Sequence, residues 1–457
     1  TNSTGANNVA VGKAALFANT TADSNTAVGY NSLDANTSGV SNTAVGTSAL
    51  GANTTAANNT AVGKNALLLN TASDNTAVGS VALDANTSGT QNVAVGKSAL
   101  SANTTADGNT AVGYVALLVN TAGASNTAVG SRALDANSSG NSNTGLGYNA
   151  LSANTTASNN TAVGSVSLDA NTTGASNTAI GYAALGANTT ASSNTAVGAN
   201  SLDTNTEGAD NTAVGVASLG ANTTGANNTA VGSAALDANT TASNNTAVGK
   251  TALSANTTGT ANTGVGYLAL AANTTASNNT AVGYAALDAT LTGAQNTAVG
   301  RSALGQTTSS NNTAVGHSAL GINVGGADNT AVGAYALDAN IDGPNNTAVG
   351  KGAGTAVTSG HENTLIGSLC HDNLTTGDLN TALGYNLAPS TVGVDSEIVI
   401  GSSITGGGTN TVRIGTGEGS ATLELDGTAT SWTAASDARL KKDVTPSTVG
   451  LAFISAL

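Results

Sequence analysis

The sequence predicts an all-β chain built as a stacked β-solenoid, one coil per 17 residues, and three observations point there. The phrase Asn-Thr-Ala-Val-Gly returns along the chain. Measured on the apolar residue before Gly, from Val11 through Val28 and Val45 to Leu383, 20 of 22 intervals are 17 residues and two are 16. A period this strict, far shorter than a domain, denotes units that stack on one another. Gly and Asn-Thr also recur every few residues, and Thr and Val are poor helix formers, which disfavours helix. Finally, aromatic residues make up 2% of the 457 and Met is absent, so any core must be made of small side chains.

Within one coil, Thr-Ala-Val reads as a short strand and the following Gly as a bend. The next Ala-Leu reads as a second short strand, and Ala-Asn-Thr-Thr as a turn, since Asn and Gly accept the left-handed backbone that tight turns use. Coils stacked at ~4.8 Å form a shaft over residues 1–385, about 23 coils with an expected length of roughly 110 Å. Residues 386–435 read as degenerate repeats and a connector, with Ile400 and Ile414 as two further anchors. The apolar fraction of 39% is mostly Ala and Val, which predicts a thin, regular core with little room for a ligand cavity.

Columns through the repeats report side-chain direction. The anchor Val and the Ala before it point to opposite faces of one strand, yet both are apolar in nearly every coil. A strand covered on both faces is not the outer wall of a lone solenoid, so a neighbour is expected, and three chains around an axis supply one. Two residues beyond the anchor the column is varied and bulky: Lys13, Tyr30, Lys64, Lys97, Tyr114, Tyr148, Tyr182, Lys250, Tyr267, Tyr284, Arg301, His317, Lys351 and Tyr385. Six of the seven Lys and Arg residues of the repeats lie in it, Arg132 sitting one place further on. This is the expected outward ridge. Its tyrosines Tyr30, Tyr114, Tyr148, Tyr182, Tyr267 and Tyr284 are candidate contacts for a cell-surface glycan or protein receptor, although a solvated face is the plainer meaning of such a column. Six residues beyond the anchor stand Asp34, Asp84, Asp135, Asp169, Asp203, Asp237, Asp288 and Asp338, never in successive coils. Carboxylates stacked at ~4.8 Å would repel one another.

Several function classes are disfavoured. A formal net charge of −14 opposes nucleic-acid binding, which needs Lys and Arg clusters. No apolar run approaches the ~20 residues that span a bilayer. The single Cys370 forms no intrachain disulfide. His361, Glu362, Cys370, His371 and Asp372 fall close together but match no zinc spacing; they read as a surface turn, and no metal or cofactor is expected. Glycosidases need paired carboxylates, and Glu207, Glu362, Glu397, Glu418 and Glu424 show no such pairing, so no enzyme is expected. An ice-binding face would carry Thr-X-Thr on one strand and a ridge free of Tyr and Lys.

After Gly384 the pattern loosens, and three basic residues crowd into the phrase Ser436-Asp437-Ala438-Arg439-Leu440-Lys441-Lys442-Asp443-Val444. With Trp432 and Thr433 before it, this phrase resembles the opening of the endosialidase-type intramolecular chaperone domain found at the C-termini of phage tail fibres and tailspikes. That resemblance implies a domain that trimerises, guides folding of a β-rich shaft and then cuts itself off. Cleavage would fall before Ser436, with Ser436 as nucleophile and Lys441 assisting. An amine serves as base for a hydroxyl when its pKa is lowered, and Arg439 and Lys442 would push it that way. Residues 436–457 resemble only the first part of that domain. The repeats over about residues 7–385 are similar in turn to the Asn-Ser-Val-Ala-Ile-Gly coils of trimeric autotransporter adhesin heads, which are left-handed parallel β-rolls of shorter period. Together the two resemblances imply a homotrimeric extracellular fibre, on a virion tail or a bacterial surface, used for attachment.

Overall fold

A computed structural model describes residues 3–425, 427 and 433–434. Among them there is no helix, and the chain is a β-solenoid of 17-residue coils. It divides into two compact units, Thr1–Asn278 and Asn279–Leu457. In the first unit, sixteen three-residue strands run from β1 (Val9–Val11) to β16 (Thr263–Val265), one per coil. Each pairs in parallel with the next, and the register is the repeat itself. Between β2 (Thr26–Val28) and β3 (Thr43–Val45), Thr26 faces Thr43, Ala27 faces Ala44 and Val28 faces Val45. The Thr26 N–H donates to the Asn42 carbonyl in the following coil, and the Gly29 N–H to the Val11 carbonyl in the preceding one, both at 2.8 Å.

The expected second strand at Ala-Leu is absent. The backbone there instead alternates in hand: Gly29 has φ +139°, Asn31 +51° and Leu33 +50°, and the same pattern recurs coil after coil. A left-handed leucine costs about 1–2 kcal/mol. Here that cost is offset because the turn buries Leu33 completely, worth about 1.5–3 kcal/mol, and lets its N–H donate to the Ala49 carbonyl at 2.9 Å. The Asn31 N–H likewise donates to the Lys13 carbonyl at 3.1 Å. Gly is obligatory at the first bend for a second reason. A Cβ on Gly29 would lie 2.6 Å from the Gly46 carbonyl oxygen of the next coil.

The core also differs from the Ala–Val core expected. Ala27, Ala44 and Ala61 of the strands are fully buried, as are Leu33, Leu50 and Leu67 of the turns, while the Val anchors lie on the outer face, half-buried or exposed. Strand alternation allows either face to turn inward; the lumen of so small a coil admits Ala beside Leu and leaves Val outside.

The second unit repeats the coil from β17 (Thr280–Val282) to β23 (Thr381–Tyr385), where the strand has lengthened to five residues. The parallel ladder continues through β24 (Ile398–Ser402) and β25 (Thr411–Thr416), with Leu383 facing Ile400 and Ile400 facing Ile414. The direction then reverses: β26 (Gly419–Glu424) runs antiparallel to β25, and β27 (Thr433–Ala434) antiparallel to β26. Ser436 and Lys441, the residues of the expected self-cleavage, lie outside the described residues, as does Trp432.

Candidate functional site

In the first unit each coil from β2 onward holds two fully buried asparagines, and these form its polar spine. In the coil of β2, Asn25 sits just before the strand and Asn36 after the Leu turn, both completely enclosed. The Asn25 N–H donates to Asn8 Oδ1 of the preceding coil at 2.9 Å, and its own amide donates to the Gly39 carbonyl at 2.9 Å. The Asn36 amide donates to Asn19 Oδ1 at 3.1 Å and to the same Gly39 carbonyl at 2.9 Å. One carbonyl thus ties the two ladders together in each 17-residue coil of the first unit, as the Ala56 carbonyl does for Asn42 and Asn53. The asparagines of Ala-Asn-Thr differ from the left-handed turn residues expected: Asn36, Asn53 and their equivalents do not have positive φ, and the left-handed asparagines include Asn58, Asn159 and Asn227, each just before a ladder asparagine. The signal available in the sequence is the near-constant Asn at two fixed phases of the repeat, broken at the second phase by Thr290, Thr307, Val357 and Leu374.

The two 16-residue coils interrupt the spine. Between Asn70 and Asn75 one residue is missing, and the Asn70 amide reaches the Ala72 carbonyl at 2.7 Å, two residues on rather than three. Asn59 Nδ2 in the same coil and Asn53 Oδ1 in the preceding one are left buried without a partner. In the second unit Thr307 stands at the second ladder position of the other short coil, and Val357 and Leu374 replace that asparagine in later coils. The first ladder ends on Glu397, which is fully buried. Its N–H donates to Asn380 Oδ1 at 2.9 Å, and its carboxylate accepts the Ser390 N–H at 3.0 Å and the Gly408 N–H at 2.8 Å.

The ridge two residues past the anchor is outward as expected. Tyr30, Tyr114, Tyr148, Tyr182, Tyr267 and Tyr284 are all exposed, as are Lys13, Lys64, Lys97 and Lys250. Some of these rings already have a cation over them: Lys13 Nζ lies 5.8 Å from the Tyr30 ring centre, and the Arg301 guanidinium 5.7 Å from that of Tyr284. His317 packs edge-on to Tyr335, ring centres 5.0 Å apart. Arg132 pairs with Asp135 at 3.6 Å on the surface.

The aspartate column is half-buried rather than free on the surface. Loss of hydration raises the carboxyls of Asp84, Asp135, Asp169, Asp203, Asp237, Asp288 and Asp338 above the ordinary aspartate value. Asp169 is raised further by Asp203, two coils away. Small residues stand between them. A Cβ on Gly186 would come within 2.8 Å of Asp203 Oδ1, and one on Gly220 within 3.0 Å of Asp237 Oδ1.

The His361–Asp372 group is not the surface turn expected, nor is it brought together as a site. His361 Nε2 pairs with Asp378 of the next coil at 3.1 Å. Cys370 and His371, by contrast, take the Ala and Leu positions of their coil and are fully buried. Both nitrogens of His371 lack a partner, and burial lowers its pKa to about 4. Burial also pushes the Cys370 thiol up to about 12. Among the described residues no three His, Cys, Asp or Glu side chains are placed to hold a metal ion, and no helix is long and apolar enough to cross a membrane. No family model, curated protein or solved structure matches the chain.

Proposed function

We propose that this chain is the shaft of a homotrimeric extracellular fibre that provides reach and attachment, as a phage tail fibre or a bacterial surface fibre does. One observation carries the reading: within each unit the outer face of the strands carries a file of apolar side chains. Val78 is 37% exposed, Leu146 44% and Ile180 40% in the first unit, and Val299 37% and Ile366 38% in the second. Parallel sheets are ordinarily covered on both faces, and here only the alanine face is. A second copy of the chain has the same axial repeat, so a contact made at one coil recurs at every coil. A closed threefold ring of such contacts leaves no file uncovered.

The resemblance of residues 432–444 to a chaperone opening supports the same reading. Parallel stacks pair residues far apart in sequence and fold slowly, and identical coils invite slips of register. A pre-trimerised end would set that register, with Ser436 and Lys441 then releasing the finished shaft. A trimeric autotransporter-like head is built of similar coils and shares the trimer, differing in its anchor.

The test is expression of the chain with its natural C-terminal continuation, beside a Ser436→Ala version. Mass spectrometry reads cleavage and sedimentation reads mass; trimers with cleavage in the wild type alone are expected. Uncleaved monomeric wild type would overturn the reading, and thermal hysteresis from a monomer would establish an ice-binding solenoid instead. Val163→Asp with Val197→Asp, which alters the outer file and leaves the alanine face intact, is expected to dissociate the trimer.

A further inference from the structure

Three ridge tyrosines of the first unit form a regular set. Tyr114, Tyr148 and Tyr182 occupy every second coil, and they are 55%, 54% and 60% exposed. The small Ser131 and Ser165 stand in the coils between them. Backbone bonds hold the column in line: Arg132 N–H to Tyr114 O at 3.0 Å, Asn149 to Ser131 at 3.2 Å, Val166 to Tyr148 at 2.9 Å and Ala183 to Ser165 at 3.2 Å. The three rings therefore recur every two coils, ~9.6 Å at the ordinary interstrand spacing. Tyr30 and Tyr284 each lie under a cation, whereas no cation or second ring covers these three among the described residues.

Two residues of an extended β-linked polysaccharide advance by about the same distance. Sugar rings present C–H groups on one face, and an aromatic ring presents negative charge on its face. A row of rings at the disaccharide repeat can therefore stack on alternate sugars of one chain laid along the shaft. The charge beside the row selects the kind of chain. The molecule carries −14 overall, yet exposed Lys97 holds the ridge position one coil before Tyr114, and exposed Arg132 lies between Tyr114 and Tyr148. Arg132 is partly engaged by Asp135 at 3.6 Å but remains 57% exposed.

We infer that Tyr114, Tyr148 and Tyr182, with Lys97 and Arg132, form a linear binding site for an acidic, extended β-linked glycan running parallel to the stack of coils. This inference rests on the fibre reading and names the partner to which such a fibre would attach. Three weak stacking contacts on one rigid ladder act as linked sites, so affinity rises steeply once an oligomer reaches all three. Tyrosine also suits such anchoring because little side-chain freedom is lost.

The experiment titrates the full chain with β-1,4-linked mannuronate oligomers of increasing length and with uncharged β-1,4-linked glucose oligomers, while sedimentation reads oligomeric state in parallel. Expected is binding of the mannuronate series with a length threshold at the span of three tyrosines. Tyr148→Ala should weaken it about tenfold, roughly 1.4 kcal/mol, and Tyr148→Phe should leave it within about twofold. The paired exchange Tyr148→Ser with Ser165→Tyr keeps composition but breaks the two-coil spacing, and should weaken binding as much as Tyr148→Ala. Lys97→Gln should weaken the acidic series alone. A trimer that binds neither series, or whose binding ignores the exchange, overturns the ladder and leaves the fibre reading intact. Equal binding of the uncharged series overturns the acidic partner. A monomer that binds as expected upholds the ladder and refutes the fibre.

Discussion

Removing one rung of the asparagine spine tests the fold where it is most specific. Asn143 is fully buried, and its side chain does three things. Its Oδ1 accepts the Asn160 N–H at 3.0 Å; its amide donates to the Ala157 carbonyl at 2.8 Å and to Asn126 Oδ1 at 3.1 Å. These bonds are not equally costly to lose. Ala157 O still accepts the Asn154 amide at 3.1 Å, and Asn126 Oδ1 still accepts the Asn143 N–H at 2.9 Å. Asn160 N–H has no other partner and is sealed from water. In Asn143→Ala that orphaned donor costs about 1–3 kcal/mol and the shared bonds about 1 more, so the loss is about 2–4 kcal/mol. Repeat arrays do not unfold in one step, so the assay is local: hydrogen exchange of peptides covering Asn160. Protection there should fall roughly 30- to 700-fold, with distant coils unaffected. Asn141→Ala, on an exposed asparagine that accepts the Ala124 N–H at 2.8 Å, should change protection less than about threefold, under ~0.7 kcal/mol. Wild-type protection in Asn143→Ala, or an equal loss in Asn141→Ala, would refute the claim that the spine holds the coils.

Other perturbations have equally definite signs. His371 titrates near 4 when folded against 6.5 unfolded, so the unfolded chain takes up the proton first as pH falls. Its contribution is intact above pH 6.5 and declines toward pH 4 by about 3 kcal/mol; His371→Leu should abolish that slope in melts of the second unit. Gly147→Ala adds a Cβ against the Gly164 carbonyl at φ +144°, and should destabilise its coils by about 3 kcal/mol or more, seen as a local loss of exchange protection. Inserting one Gly between Ala72 and Ser73 restores a 17-residue coil and should raise protection around Asn53 and Asn59, whose amide atoms are orphaned now. Asp203 and Asp237 are raised by lost hydration. Their folded forms hold protons better than the unfolded chain, so their coils gain stability as pH falls through the raised values, and Asp237→Asn should remove its share of that gain.

Much of this is legible in the repeat itself. Gly after every anchor, the exposed ridge with Lys97 and Tyr148, and the alternation of Asp203 with Gly186 and Gly220 are statements about one coil and its immediate neighbours. A strict period copies such statements along the chain. Other features were legible only in part: Asn143 was visible as a constant residue, but constancy alone does not separate a turn from a ladder. His371 read as surface because histidine usually is; only its phase, five residues past Ile366, placed it among the leucines.

By itself the sequence determined the period, the stacking, the strand position and the bends, because each follows from local backbone preference repeated without interruption. Tertiary structure decided which face turned inward, since Ala and Val alternate on one strand and the pattern is apolar either way. The narrow lumen settled it by admitting Ala27 beside a left-handed Leu33 and leaving Val28 outside. It also decided what the asparagines are for. An amide such as that of Asn25 finds its partners only in the adjoining coil and across its own turn, so its role exists only once the stack has formed.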